Sequence, residues 1–131
     1  MKALFLFFHN HKPRTSRIAL FWTLLILLAC LIPGREVPDV QVPLADKWVH
    51  FVLFAAFSFL WICTFRRTGL KAGLIVGLLS VLFGYVVELL QGSGITEGRS
   101  YDLYDVLADG IGGLLGLAVF FLLRSYALKT P

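Results

Sequence analysis

Apolar residues fill four long runs in this chain, residues 18–32, 48–65, 70–90 and 106–123, and polar residues gather between them. A helix needs about 20 apolar residues to cross a hydrocarbon core, with a range of about 17–25. The last three runs meet that requirement. The first is short, but Thr15 and Ser16 extend it and Arg17 can snorkel to the interface. None of the runs carries the polar face that a soluble amphipathic helix presents to water. The pattern predicts an all-α polytopic membrane protein with four transmembrane helices. Residues 1–17 read as a basic arm whose short apolar run, residues 3–8, suits the membrane interface and is too short for a signal-peptide core. Residues 18–125 read as the membrane domain and 126–131 as a tail.

Composition sharpens this picture. Of 131 residues 58% are hydrophobic and only 15% charged, more apolar material than a soluble domain of this size can bury. The charges are also segregated. Lys2, Lys12, Arg14 and Arg17, then Arg66, Arg67 and Lys71, then Arg124 and Lys129 fall on one side of the four runs. Arg35, Lys47 and Arg99 fall on the other, with every Asp and Glu. The positive-inside rule then puts both termini in the cytoplasm and the acids outside. The net charge of +4 is therefore a topology signal. No basic patch interleaved with aromatics exists, so nucleic acid is excluded as a partner. Cys30 and Cys63 lie at opposite ends of their spans, which predicts no disulfide.

Candidate chemistry concentrates at the outer ends of the spans. The second opens with Asp46, a good helix N-cap, followed by Lys47, the interfacial Trp48, and His50 one helical turn after Asp46. An ionisable ring inside a membrane helix is costly unless paired. The third carries small residues at Gly73, Gly77, Ser80 and Gly84, and the same stripe continues to Glu88 and Gln91. Small residues let a second helix approach closely. Glu88 also stands near a helix C-terminus, the wrong end of the macrodipole for an acid. In the fourth, Ser100 or Asp102 can cap, and Asp105, Asp109, Gly112 and Gly116 form one stripe. If the glycine faces of the third and fourth spans pack together, Glu88, Asp105 and Asp109 meet.

Taken together, Asp46-Lys47 with His50, Glu88 with Gln91, and Arg99, Asp105 and position 109 followed by Gly112 and Gly116 resemble the VanZ-like family of small bacterial integral membrane proteins, over residues 20–125. Where that family often has Asn, this chain has Asp109, which shares its shape and acceptor capacity but not its neutrality. The resemblance implies a cell-envelope protein of the inner membrane, whose family namesake is linked to resistance to the glycopeptide teicoplanin.

Three functional readings follow. In the first, His50, Glu88 and Asp105 are catalytic toward an anionic envelope lipid or lipid-linked cell-wall precursor. His50 or Glu88 acts as acid or base, Asp105 orients His50, and Arg99 and Lys47 hold the phosphate or carboxylate. Asp46, Gln91 and Asp109 complete the substrate-binding set, and a divalent cation held by Glu88, Asp105 and Asp109 is a variant. No phosphate-binding loop, nucleophile elbow or HExxH motif signs a reaction. In the second, the site binds such a lipid without turnover. In the third, the polar cluster only locks helix packing. A transporter would need a homo-oligomer, because four helices are a thin base for one.

Overall fold

A computed structural model of the chain describes residues 2–36 and 43–129. Five α-helices, α1 (Lys2–Asn10), α2 (Lys12–Cys30), α3 (Ala45–Thr64), α4 (Leu70–Gly92) and α5 (Leu103–Lys129), make up nearly all of it, and the described residues include no strand. The helices α2 to α5 are each long and apolar enough to cross a membrane, and only 22–39% of each span is buried in the protein. The remaining surface is studded with exposed Leu, Ile, Val and Phe, as a lipid-facing bundle requires.

The first span differs from expectation. Its helix begins at Lys12, ahead of the apolar run that starts at residue 18, and the largely apolar segment before it is a helix packed on the bundle. Pro13 is the reason the helix can start there: in the first turn its missing N–H costs nothing. The Thr15 hydroxyl, fully buried, donates to the Phe8 carbonyl at 2.6 Å and fixes the α1–α2 corner. Phe5 of α1 is buried against Phe120 of α5, and Phe8 meets Phe59 edge-on. Lys12 donates to the Cys63 carbonyl at 2.6 Å, placing a cation on the C-terminal end of α3 where the helix dipole favours one. This is the basic end of the bundle.

Neighbouring spans alternate in direction, so α3 and α5 run parallel, and α2 and α4 run against them. Trp22 donates its indole N–H to the Leu53 carbonyl and Trp61 donates to the Thr23 hydroxyl, tying α2 to α3. Phe57 stacks on Phe83 at 5.1 Å between α3 and α4. The glycine seams do not pack as the stripe pattern predicts. Gly112 and Gly116 of α5 lie against the Phe51 and Ala55 carbonyls of α3, not against α4. On α4, Gly73, Gly77 and Gly84 instead receive Phe121, Leu117 and Asp109 of α5. The physical reason is economy of approach: a glycine accepts a large side chain or a backbone, so two glycine stripes need not face each other. The result places α5 at the centre, with a backbone contact on α3 and a side-chain contact on α4.

At the opposite, acid-rich end, a 3-10 turn, Gly34–Glu36, meets the loop before α5. Gly34 donates its N–H to the Glu97 carbonyl at 2.8 Å, and Arg35 pairs with the Glu97 carboxylate at 3.4 Å. Residues 35–45, bounded and interrupted by prolines, read from sequence as an extended outer loop, and most of it, 37–42, lies outside the described residues. Cys30 and Cys63 are both buried and free, as their depths predict.

Candidate functional site

Three helices bring ionisable side chains together at the acid-rich end. Asp46, Lys47 and His50 come from the first turns of α3, Glu88 from the last turns of α4, and Asp105 and Asp109 from the start of α5. Because α3 and α5 are parallel and α4 is antiparallel, two helix starts meet one helix end.

The cluster has two layers. In the outer layer, the Lys47 ammonium donates to Asp46 Oδ2 at 2.7 Å, Asp102 Oδ2 at 2.7 Å and Asp105 Oδ1 at 2.9 Å. An ammonium has three N–H donors, and all three are used. Asp102 joins the layers. Its Oδ1 accepts the Tyr104 N–H at 2.8 Å, which caps α5 as the sequence predicts, and its own N–H donates to Glu88 Oε2 at 2.9 Å. The Lys47 ammonium beside Asp102 holds that carboxyl below its ordinary range, helped by the Tyr104 N–H.

In the inner layer, His50 Nδ1 lies 3.0 Å from Asp109 Oδ1, and His50 Nε2 lies 3.9 Å from Glu88 Oε1, too far for a hydrogen bond. With Asp109 ionised, the proton sits on Nδ1 and is donated to the carboxylate, leaving Nε2 free as a base or ligand. Glu88 and Asp109 have no exposed side-chain surface. Glu88 Oε1 and Asp109 Oδ2 are enclosed without a hydrogen-bond partner among the described residues. Asp109 fits only because residue 84 is glycine: a Cβ there would collide with its carboxylate.

The helix caps correct one expectation. Leu44, in left-handed backbone with φ 58°, precedes α3, and Asp46 makes no capping bond. Nor does Asp46 face His50. It is half exposed and bonded to Lys47, while His50 points inward to Asp109. Four residues advance a helix by about 40° beyond a full turn, enough to split the pair between rim and core. The orienting partner of His50 is Asp109; Asp105, expected in that role, is held by Lys47.

The profile of the VanZ/LLP1 family matches residues 3–124. The chain belongs to the VanZ/LLP1 family. No curated protein and no solved structure gives a significant match. The match to this VanZ/LLP1 member spans α1 and all four long helices, so the arm that reads as an appendage in the sequence is part of the family unit.

Of the residues singled out in this VanZ/LLP1 chain, Asp46, Lys47, His50, Glu88, Asp105 and Asp109 converge. Gln91 and Arg99 turn elsewhere. Gln91 is buried and donates to the Cys30 carbonyl at 3.3 Å, and Arg99 donates its Nε–H to the Ile32 carbonyl at 3.3 Å. Gln91 ties the α4 end, and Arg99 the loop before α5, to the end of α2, and neither hydrogen-bonds to the cluster. Lys47 has its donors spent on carboxylates, and Arg99, on the loop before α5, bonds the Ile32 carbonyl, so the structure does not bring the two together as a pair of anion donors. The residue whose weight sequence reasoning missed is Asp102, which links Lys47 to Glu88. Its acid at a helix start signals the cap, but a backbone N–H bond to Glu88 has no sequence signature.

Proposed function

We propose that this chain binds an anionic envelope lipid or lipid-linked cell-wall precursor in the outer leaflet of the bacterial plasma membrane, with both termini in the cytoplasm. The observation that carries the reading is the inner layer: His50, Glu88 and Asp109 are nearly or fully buried at the end of a membrane bundle, and Glu88 and Asp109 each keep one unbonded oxygen. Buried polar groups are ordinarily satisfied, so these acceptor oxygens mark a place where a donor, such as a headgroup hydroxyl, or a bound cation completes the bonding. An apolar groove of about 730 Å³ supports a lipid as the occupant. It runs between α4 and α5 from Leu70 and Phe121 to Val106 and Leu107, residues that lie between Asp105 and Asp109 in sequence. A headgroup at the cluster and a chain in this groove would fit one molecule. If the lipid is also processed, His50 Nε2 is the available base, with Asp109 orienting it.

The test uses purified protein in nanodiscs of mixed phosphatidylethanolamine and phosphatidylglycerol, with retained lipid measured by native mass spectrometry. Wild type is expected to enrich the anionic lipid, and His50→Ala and Glu88→Gln to lose that enrichment at normal yield. Equal retention of both lipids by wild type would sink the reading. A C-terminal fusion to wild-type-like green fluorescent protein, which does not mature when exported unfolded, should glow, and a C-terminal alkaline phosphatase fusion should be inactive. The link of the family's namesake to glycopeptides extends the proposal: cells producing the chain should tolerate more teicoplanin than cells carrying His50→Ala.

A second reading has its own support. Lys47 joins α3 to α5 through Asp102 and Asp105, which is what a packing lock would do. Under that reading the variants lose protein abundance and not lipid selectivity.

A further inference from the structure

Two trios of metal-ligating side chains stand at the acid-rich end: Asp46, Asp102 and Asp105, and His50, Glu88 and Asp105. They differ in kind. The first closes around the Lys47 ammonium, which satisfies one oxygen of each carboxylate, so it already holds its cation. In the second, one ligand atom from each residue lies within 4.8 Å of the others, and only Asp105 is shared with the Lys47 ammonium. We propose that His50, Glu88 and Asp105 form a site for a divalent transition-metal ion of the Zn²⁺ class.

Four observations converge on this. Glu88 Oε1 is fully enclosed, has no hydrogen-bond partner, and lies 3.9 Å from His50 Nε2. Two atoms bound at about 2.1 Å to a tetrahedral ion sit about 3.4 Å apart, so a contraction of about 0.5 Å completes the pair. Second, the other oxygen of Glu88 is anchored by the Asp102 N–H, which fixes the carboxylate's orientation and leaves Oε1 for the ion. Asp105 likewise spends Oδ1 on Lys47 and retains Oδ2. Third, His50 Nδ1 is paired with the buried Asp109 carboxylate. Metal-binding imidazoles almost always donate their other N–H to a carboxylate or carbonyl, which sets the tautomer and strengthens the ligand. Fourth is charge. Within the bonded cluster, five carboxylates, Asp46, Glu88, Asp102, Asp105 and Asp109, are matched by one ammonium and one imidazole. An added dication offsets much of the excess where water is scarce. One nitrogen and two carboxylate oxygens suit Zn²⁺ better than Mg²⁺ or Ca²⁺, which prefer all-oxygen shells.

The inference also bears on the proposed lipid, and there it rests on that reading. The side chains alone present an anion with excess negative charge. A metal with three protein ligands keeps an open position, and an anionic headgroup oxygen can take it.

Tag-free protein in nanodiscs of zwitterionic lipid, stripped with EDTA and titrated with ZnCl₂, tests the site by bound zinc per chain. About one equivalent is expected for wild type and for the loop variant Glu97→Gln. His50→Ala and Glu88→Gln should bind at least tenfold more weakly, and Asp109→Asn, acting through His50, about 10–100-fold more weakly. His11→Ala should change nothing, which separates the site from adventitious histidine binding. Wild type that takes up no zinc overturns the site, whatever the variants do. So does uptake that survives both His50→Ala and Glu88→Gln. If either variant fails to purify, a zinc-dependent rise in the unfolding temperature of wild type, lost in Asp105→Asn, decides the same question. Zinc uptake without selectivity for phosphatidylglycerol would confirm the site and refute the lipid reading. Lipid selectivity indifferent to EDTA would refute the link between them.

Discussion

The parallel contact of α3 with α5 depends on glycine at two positions, and a methyl group is enough to test it. In Gly112→Ala the new Cβ would meet the Phe51 carbonyl oxygen far inside contact distance, with the carbonyl carbon at 2.9 Å and the Cα at 3.0 Å. These atoms are backbone in mid-helix and cannot rotate away. The helices must therefore separate, and a gap of about 0.5–1 Å forfeits about a quarter to a half of each dispersion contact across the interface. Overpacking typically costs about 1–3 kcal/mol, and with backbone as the obstacle the upper half of that range applies. Replacing glycine in a helix returns up to about 1 kcal/mol of propensity, so the net loss is about 1–2 kcal/mol, a factor of roughly 5–30 in the unfolding equilibrium. Gly110→Ala is the control. Its Cβ would meet only Val81, at an ordinary 3.6 Å, so it keeps the propensity gain and should be neutral or slightly stabilised. The assay is reversible unfolding in mixed micelles titrated with SDS, followed by the fluorescence of Trp22, Trp48 and Trp61. Separation at Gly112 should also disturb the site, because Phe51 follows His50 and Gly112 lies one turn after Asp109. Equal stability of Gly112→Ala and wild type, or a larger loss in Gly110→Ala, would refute the backbone-contact argument.

Lys47→Ala leaves three carboxylates facing one another, and should cost about 2–3 kcal/mol; this falls below the about 3–5 of a fully buried pair because Asp46 and Asp102 keep some water. The loss should be less than additive with Asp102→Asn in a double-mutant cycle, and strict additivity would show that the pair is not coupled. His9, at the basic end, is stacked on Phe5 and has its pKa lowered, first by burial and then by the Lys12 charge, with Arg124 adding to it and Arg66 and Arg67 lining the same cavity. The folded chain then binds fewer protons than the unfolded one below the unfolded value of 6.5, so His9 makes the fold lose stability as pH falls from about 6.5 through the lowered folded pKa. The unfolding midpoint should accordingly drop between pH 7.5 and 5.5 in wild type and drop less in His9→Phe; identical drops would exclude His9 as the cause.

The spans were legible because lipid removes the ambiguity of periodicity: a long run without charge has few other readings. The convergence of Glu88, Asp105 and Asp109 was legible for a related reason, since each continues a stripe of small residues. What was not legible was which stripe met which helix. Gly112 and Gly116 form a small-xxx-small pair that α3 or α4 could have filled, and the choice fell to three-dimensional packing, which no spacing encodes. The start of α2 at Lys12 was hidden by three cations, Lys12, Arg14 and Arg17, that read as part of a basic arm. Lys12 instead serves the end of α3. Arg99 and Gln91 carried the right chemistry for an anion site, but their donors were needed by unpaired carbonyls at the end of α2, at Ile32 and Cys30.

The two layers also discriminate between a scaffold and a working site. A packing lock needs a closed network, since a half-satisfied one is worse than apolar side chains of the same volume. The Lys47 layer meets that requirement: three donors, three acceptors, two helices joined and the start of α5 capped. The His50 layer does not. Glu88 and Asp109 are completely buried, each keeps an unbonded oxygen, and the imidazole between them can pair with only one at hydrogen-bond distance. Selection for stability alone would favour replacing Glu88 with Gln or Leu and Asp109 with Asn, either of which lowers the charge enclosed. On the reading proposed above, the cost of that second layer serves a ligand or ion, and the first layer, complete in itself, is the frame that keeps it in position.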